Sequence, residues 1–209
     1  MPYNSLAPAP VNALSMFASD PVAKQAPESR SNANPYIDSL MRKALQDYPF
    51  LSQHKPVVIT NAGQGEGFAE TYPPEETGRP MGDGTFSRPK ELPMGQLGIE
   101  IYRPDAFTHH DLAGEVMHVD PYAREISDKL AKTWSPEQLK NLREHALDYD
   151  ATLAEGRPEA DAIRNATDSA LRGYVVGQWP EKINESFGYQ PVQRALLESL
   201  KSYTKTGKR

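Results

Sequence analysis

Prolines divide this chain into short segments, and their spacing limits the helices and strands that it can form. The 209 residues include 19 prolines. Proline fixes φ and lacks an amide hydrogen, so it is tolerated in the first turn of a helix and interrupts helices and strands elsewhere. No segment approaches the roughly 18 consecutive apolar residues of a membrane-spanning helix. We therefore expect several short elements and no transmembrane segment.

The first 34 residues differ in composition from the rest of the chain. They are rich in Ala, Pro, Ser and Asn, and their large apolar residues are isolated. Such a segment buries too little apolar surface to fold alone. We interpret residues 1–34 as an extended or disordered N-terminal arm, with Leu14, Met16 and Phe17 as its partner-binding residues. Since the first basic residue is Lys24, we do not expect a secretory signal peptide.

Residues 35–209 carry the periodic patterns of a single α+β domain. Asn34-Pro35 is an N-cap followed by proline, and apolar residues at helical spacing predict a helix over 35–48. The segment 56–102 is predicted to hold strands and a long loop.

The continuous apolar segment 56–60 is typical of a buried strand, and the segment 97–102 alternates like a half-buried strand. We expect the two to pair in a small sheet of two or a few strands. From Pro73 to Pro93 there is no periodicity, so we predict a surface loop that contacts a partner. The glycine-rich turn 61–67 is not followed by a helix N-terminus, which a phosphate site of this type requires.

The segment 109–205 is predicted to be helical. Ser135 and Gln138 form a capping box around Pro136, starting a helix that we expect to continue until Gly156. A further helix contains Ile163 to Tyr174, and a last one starts at Pro191 with apolar residues facing inward, namely Val192, Ala195, Leu196, Leu200 and Tyr203. The predicted fold class is α+β, mostly α-helical, with a small sheet, a helical C-terminal half and an extended N-terminal arm.

Charge and cysteine content argue against several functions. The net charge is −5 and the basic residues are dispersed, apart from a short cluster at the C-terminus. We therefore expect neither sequence-independent nor sequence-specific nucleic-acid binding. Cysteine is absent, which excludes a disulfide framework, a thiolate nucleophile and a cysteine metal site.

The segment from His109 to His118 nearly matches the H-E-x-x-H helix of zinc peptidases. In that motif two histidines bind Zn²⁺ and the glutamate is the general base. Here Gly114 replaces the first histidine, while Glu115 and His118 keep the remaining pattern. His110 and His118 would be roughly 12 Å apart along one helix, too far to share a zinc ion unless the helix starts after His110.

We interpret this motif as degenerate. The alternative is a zincin-like metallopeptidase with Glu115 as general base and with His118 and His110 as metal ligands. A third ligand would come from a later helix, where the candidates are Glu144, His145, Asp148 and Asp168. No serine-nucleophile motif is present, and no carboxylate pair stands out as that of a glycosidase. We expect no cofactor and no enzymatic activity, with zinc as the alternative.

Several phrases of the sequence resemble proteins of tailed bacteriophages and related mobile elements. They are Gly67 to Pro74, Ala113 to His118, Leu171 to Tyr174 with Gly177 to Pro180, and Tyr189-Gln190-Pro191 with Leu196 and Leu200. The resemblance covers roughly residues 56 to 207. It implies a phage particle as the setting, with synthesis in the host cytoplasm. It also implies other virion proteins as partners, in a homo-oligomer or a larger assembly.

These observations predict a minor structural component of a tailed-phage particle, in the tail-neck region or among the internal proteins ejected with the DNA. The arm would dock on neighbouring virion subunits, and Trp179 is predicted to be a further partner-binding anchor rather than a substrate platform. The zincin-like peptidase is the first alternative. A small modulator of a host enzyme is the second, which suits the acidic charge but has no residue pattern behind it.

Overall fold

The chain forms two compact units in a computed structural model, which describes residues 12–15, 34–62, 68–75, 88–89 and 91–209. Unit 1 comprises residues 1–42 and 55–108, and unit 2 comprises residues 43–54 and 109–209. The structure is mostly helical with one small sheet, so the predicted α+β class is confirmed. That residues 35–209 behave as a single domain stays a prediction.

Unit 1 contains a mixed sheet of four short strands. They are β1 (Asn12–Ser15), β2 (Val57–Thr60), β3 (Ala69–Tyr72) and β4 (Gly98–Ile101), in the order β1-β2-β4-β3. The central pair β2 and β4 is parallel, and both outer strands pair antiparallel. The two predicted strands and their pairing are confirmed. Strand β3 was not predicted from the sequence, because its four residues lack the alternation that is typical of a half-buried strand. In the structure only Tyr72 of the four is buried.

Apolar side chains from the sheet form the core of unit 1 with Leu92, which lies in the loop before β4. The cluster consists of Val57, Ile59, Tyr72 and Leu92. Arg88 is buried and donates hydrogen bonds to backbone carbonyl oxygens, those of Pro73, Leu92, Pro93 and Gln96. The described ends of the predicted 73–93 loop are therefore held together inside unit 1. Residues 76–87 and 90 of this loop, and 63–67 of the glycine turn, lie outside the described residues.

Helix α1 (Pro35–Asp47) begins in unit 1 and ends in unit 2, as the 35–48 prediction placed it. A short 3-10 helix follows at Pro49–Gln53. The other helices described in unit 2 are α2 (His109–Val119), α3 (Pro121–Ala131), α4 (Pro136–His145), α5 (Leu147–Ala154), α6 (Glu159–Val175), α7 (Glu181–Ser186) and α8 (Pro191–Thr206). None of the helices in the described ranges is long and apolar enough to cross a bilayer.

Side-chain caps mark the starts of two helices of unit 2, α3 and α4. The predicted capping box is present, because the Ser135 hydroxyl accepts from the Gln138 amide and the Gln138 side chain accepts from the Ser135 amide. Asp120 caps α3 by accepting from the amide of Ala123.

The sequence prediction was wrong in three places in unit 2. The helix expected to run from Pro136 to Gly156 is interrupted at Ala146, whose extended backbone separates α4 from α5. Helix α7 was not expected. In α8, Val192 and Ala195 are exposed rather than inward-facing, because the buried face is formed by Gln193, Leu197, Leu200, Tyr203 and Thr204.

Helix α6 is the central element of unit 2, and it contacts α2, α3, α4, α5 and α8. Its buried side includes Ala162, Ala166 and Ala170, which are fully buried and spaced by four residues. Small side chains on one helical face allow neighbouring backbones to approach closely. This packing places the C-terminal end of α6 against the helix that carries Glu115 and His118.

Candidate functional site

Helix α2 carries the zinc-peptidase-like residues, but it does not present them as a metal site. The helix begins at His109, so His110 and His118 lie on one continuous helix, about 12 Å apart at 1.5 Å per residue. They cannot share a metal ion at that separation. Among the residues that the structure describes, no three His, Asp or Glu side chains converge in a way that would hold a metal.

Gly114, at the position of the missing histidine, is a close packing contact. A Cβ atom there would lie 2.8 Å from Nε2 of Gln178 and 3.2 Å from Cδ of Arg172. The Gln178 amide donates to Asp111 Oδ1 at 3.1 Å. The volume that a zinc-binding histidine would need is therefore occupied by two side chains of unit 2.

Arg172 on α6 engages the glutamate predicted as general base. Its Nη1 lies 3.9 Å from a carboxylate oxygen of Glu115, and its Nη2 lies 3.6 Å from Oδ2 of Asp148. Asp148, one of the candidate third ligands, is thus engaged by an arginine. The Arg172 Nε atom is buried and has no hydrogen-bond partner among the described residues.

His118 is half-buried beside two arginines. Burial is the largest cause that lowers the pKa of His118, and together with the charges of Arg172 and Arg124 it brings this pKa to about 3. The imidazole is therefore neutral at pH 7. A cavity of about 10 Å³ lies against His118, Asp168 and Arg172, which is room for a single water molecule.

The other candidate zinc ligands, Asp168, His145 and Glu144, each contact a different residue. Burial raises the pKa of Asp168, which accepts a short hydrogen bond from the Ser127 hydroxyl. The His145 ring lies near Trp179 and Phe187, with ring centroids 6.4 Å and 6.3 Å away. Glu144 pairs with Lys140 on the exposed side of α4.

Polar contacts that the sequence did not indicate are formed by His54, His109 and His110. His54 Nε2 lies 2.7 Å from Oδ2 of Asp120, and the Tyr203 hydroxyl donates to the same oxygen at 2.7 Å. Burial raises the pKa of Asp120, but the hydrogen bonds from His54, Tyr203 and Ala123 outweigh burial and lower it overall. His110 Nδ1 lies 2.6 Å from the Tyr48 hydroxyl, and His109 Nε2 lies 2.9 Å from Asp47. These contacts link α1 and the 3-10 helix to the rest of unit 2.

Unit 1 contains a pair of carboxylates that sequence reasoning also missed. Glu70 on β3 lies directly opposite Glu100 on β4 in the antiparallel register. The hydroxyls of Tyr72 and Tyr102 lie within 3.1 Å of oxygens on both glutamates, and the Asn61 amide donates to Glu100 at 2.7 Å. Burial is the largest cause that raises the pKa of each tyrosine, so both phenols stay protonated donors. Only the pairing of β3 with β4 brings these residues together.

A groove of about 460 Å³ lies between α6, α7 and α8 in unit 2. Its lining includes Tyr174, Trp179, Asn184, Tyr189, Arg194 and Lys201. This volume is within the usual range of ligand pockets, roughly 300–1,000 Å³. We call it the α7–α8 groove. Of the four residues predicted as partner-binding anchors, Leu14, Met16, Phe17 and Trp179, only Trp179 has a side chain that the structure describes, and it lies in this groove.

Trp179 lines this groove, but much of its ring is used in internal packing. The indole lies against Gly173 and stacks on Phe187, which in turn stacks on Tyr189 at a centroid distance of 5.5 Å. The contact of Trp179 with a partner stays a prediction. Of the predicted arm anchors, Leu14 lies in β1, and Met16 and Phe17 lie outside the described residues.

No protein-family model, no curated protein and no solved structure matches this chain. Its function is therefore inferred from its own residues and contacts.

Proposed function

We propose that this protein is a non-catalytic assembly component of a tailed-bacteriophage particle, which docks on neighbouring virion subunits through its N-terminal arm. It would lie in the tail-neck region or among the internal proteins ejected with the DNA. The phage-like phrases of the sequence support the setting. The observation that carries the docking role is the position of β1.

Strand β1 comes from the arm and pairs with β2 at an edge of the sheet, from Asn12 opposite Thr60 to Ser15 opposite Val57. In strand addition, an extended segment pairs with the free edge of a sheet through backbone hydrogen bonds. Any chain with a free strand edge can form these bonds. The arm therefore contains a segment whose backbone suits attachment to a sheet.

The length of the arm suits attachment to a neighbouring subunit as well. Residues 16–33 separate β1 from Asn34, where the next described range begins. A segment of eighteen residues reaches about 60 Å when fully extended at 3.3 Å per residue. The same strand can therefore pair with β2 of its own chain or with a sheet edge of an adjacent copy.

The contacts of α2 support a role without catalysis. Gly114 packs against Gln178 and Arg172, and Glu115 lies next to the Arg172 guanidinium. A general base must reach a water molecule or substrate, whereas the Glu115 carboxylate lies 3.9 Å from the guanidinium of Arg172. We infer that α2 stabilises unit 2.

The test is incorporation into particles of a phage that encodes the chain. The wild type is compared with a variant lacking residues 1–34 and with a triple variant, Leu14→Ser, Met16→Ser and Phe17→Ser. Copies per particle are counted by quantitative mass spectrometry of purified particles. We expect both variants to be depleted at least tenfold, because the docking contacts are removed.

The matched control is a triple variant of the same arm, Ala7→Ser, Ala9→Ser and Ala18→Ser, which keeps every large apolar side chain. It should be incorporated normally. Normal incorporation of the deletion variant would overturn the docking role. Absence of the wild-type chain from purified particles would overturn the virion setting.

A further inference from the structure

Two residues that line the α7–α8 groove each carry a buried polar atom with no hydrogen-bond partner in the described structure. The two atoms are the hydroxyl oxygen of Tyr189 and Oδ1 of Asn184. Tyr189 is 6% exposed, and its ring is held between Phe187 and Tyr174. Buried polar atoms are almost always hydrogen-bonded, since leaving one unpaired forfeits its hydration without compensation. Two such atoms in one groove point to a ligand that supplies their partners.

The chemistry of these two atoms is complementary. The Asn184 amide nitrogen lies near the carbonyl oxygens of Gly173 and Trp179, at 3.3 Å and 3.5 Å, which leaves Oδ1 as an acceptor. Burial raises the pKa of Tyr189, so its hydroxyl is protonated and can donate. One acceptor and one donor match the N–H and C=O groups of a peptide backbone.

The rims of the groove carry opposite charges. Glu181 and Glu185 lie one turn apart on α7, whereas Arg194 and Lys201 lie two turns apart on α8. None of the four forms an ion pair with a described residue. Arg194 uses its Nε to donate to the Tyr189 carbonyl oxygen, and the Lys201 ammonium lies 5.5 Å from the centroid of the Tyr174 ring. A ligand with both an acidic and a basic group would complement the two rims.

We propose that the α7–α8 groove binds an extended peptide segment of a protein partner, with an acidic side chain toward Arg194 and Lys201 and a basic side chain toward Glu181 and Glu185. The segment's backbone accepts from the Tyr189 hydroxyl and donates to Asn184 Oδ1. A carbohydrate suits the groove less well, because the Trp179 ring is engaged by Gly173 and Phe187 and because a neutral sugar leaves both charged rims without partners.

This inference rests on the proposed function only in taking the occupant to be a protein. The experiment sorts a yeast-displayed library of random dodecapeptides against the full-length chain. Enriched peptides are then synthesised and titrated calorimetrically. We expect the enriched sequences to contain both an acidic and a basic residue.

The titrations compare the wild type with Tyr189→Phe and Lys201→Glu. Tyr189→Phe removes the donor, and we expect about tenfold weaker binding, the usual size of one net hydrogen bond. Its folding should not suffer, because the Tyr189 hydroxyl makes no internal hydrogen bond. Lys201→Glu should weaken binding, and replacing the peptide's acidic residue by lysine should restore it.

Tyr122→Phe is the matched control. It removes a hydroxyl that contacts Ser199 on the surface outside the groove, and it should leave binding unchanged.

Failure to enrich any peptide would overturn the proposal. Equal affinity of Tyr189→Phe, Lys201→Glu and the wild type for the enriched peptides would also overturn it. If the chain enters particles but selects no peptide, this inference fails alone. If it selects charged peptides but is absent from particles, the proposed function fails alone.

Discussion

Gly173 lies against the indole of Trp179 so closely that a Cβ atom at position 173 would stand 2.4 Å from Cδ2 of the ring. The ring is held on Phe187 by stacking at a centroid distance of 5.4 Å. The glycine is therefore a packing requirement in the last turn of α6, where its conformational freedom is otherwise unfavourable.

We expect Gly173→Ala to destabilise the protein by about 1–3 kcal/mol, the usual cost of overpacking, although alanine favours the helix by about 1 kcal/mol. Gly114→Ala is the matched control, because the nearest atom there is the mobile end of Gln178 and that side chain can move aside. Its effect should stay within about 1 kcal/mol. Urea unfolding of both variants checks the difference, and equal effects would contradict the packing argument.

Gly114→His tests the zinc-peptidase alternative directly. The new imidazole would have to displace Gln178 and Arg172, so we expect lower stability than in Gly114→Ala and no stoichiometric zinc. Elemental analysis of the wild type, Gly114→His, Glu115→Ala and His118→Ala checks this. Stoichiometric zinc in the wild type that is lost in His118→Ala would instead favour the peptidase.

His118 should make the protein sensitive to acid. Burial lowers the pKa of His118 to about 3 in the folded protein, against an ordinary value of 6.5. Between these two pH values the unfolded chain binds a proton that the folded chain does not, so stability falls as the pH decreases from 6.5 to 3.

His118→Gln removes this proton uptake. We expect its free energy of unfolding to approach or exceed that of the wild type as the pH falls below 6.5, while the difference between the two proteins stays constant above about pH 7.5. Urea unfolding at pH 7.5, 6, 5 and 4 measures the difference. Parallel curves for the two proteins across this range would show that His118 does not contribute.

Glu100 should stabilise unit 1 more than Glu70 does. Glu100 is 3% exposed and accepts from Asn61, while Tyr72 and Tyr102 lie close enough to donate to either glutamate. Glu100→Ala leaves the Asn61 donor unpaired, and we expect a loss of about 1–3 kcal/mol. In Glu70→Ala the hydroxyls of both tyrosines can donate to Glu100 instead. The substitution also removes the repulsion between two like-charged carboxylates that face each other across the strands. The loss should therefore be below about 1 kcal/mol. Thermal unfolding followed by circular dichroism compares the two, and equal losses would contradict this assignment.

Local signals in the chain predicted its helices well. Ser135, Pro136 and Gln138 start α4 through contacts within three residues, and Asp120 caps α3 in the same way. The segment 56–60 was identified as a strand from its short continuous apolar run, and 97–102 from its alternation of apolar residues. The alternation predicted a half-buried strand, whereas all four residues of β4 are buried. In each case the residues that decide the conformation are near neighbours in the sequence.

The candidate sites could not be predicted in this way. Asn184 and Tyr189 have no distinctive spacing, and they line one groove only because α7 and α8 pack beside the end of α6. Glu70 and Glu100 face each other only because β3 pairs with β4, although the two residues are thirty positions apart in the sequence. The sequence showed that position 114 lacks a histidine, but not that Gln178 occupies its place.

Caps, proline positions and the period of apolar residues were thus enough to place most helices and two strands, because these effects act over a turn or a few residues. The interruption at Ala146, the arginine beside Glu115, the low pKa of His118 and the unpaired atoms of the α7–α8 groove came from tertiary packing. The burial of a side chain and the charges around it depend on neighbours that the fold brings together. These neighbours can lie far apart in the sequence. The chemistry of a side chain is decided by those neighbours.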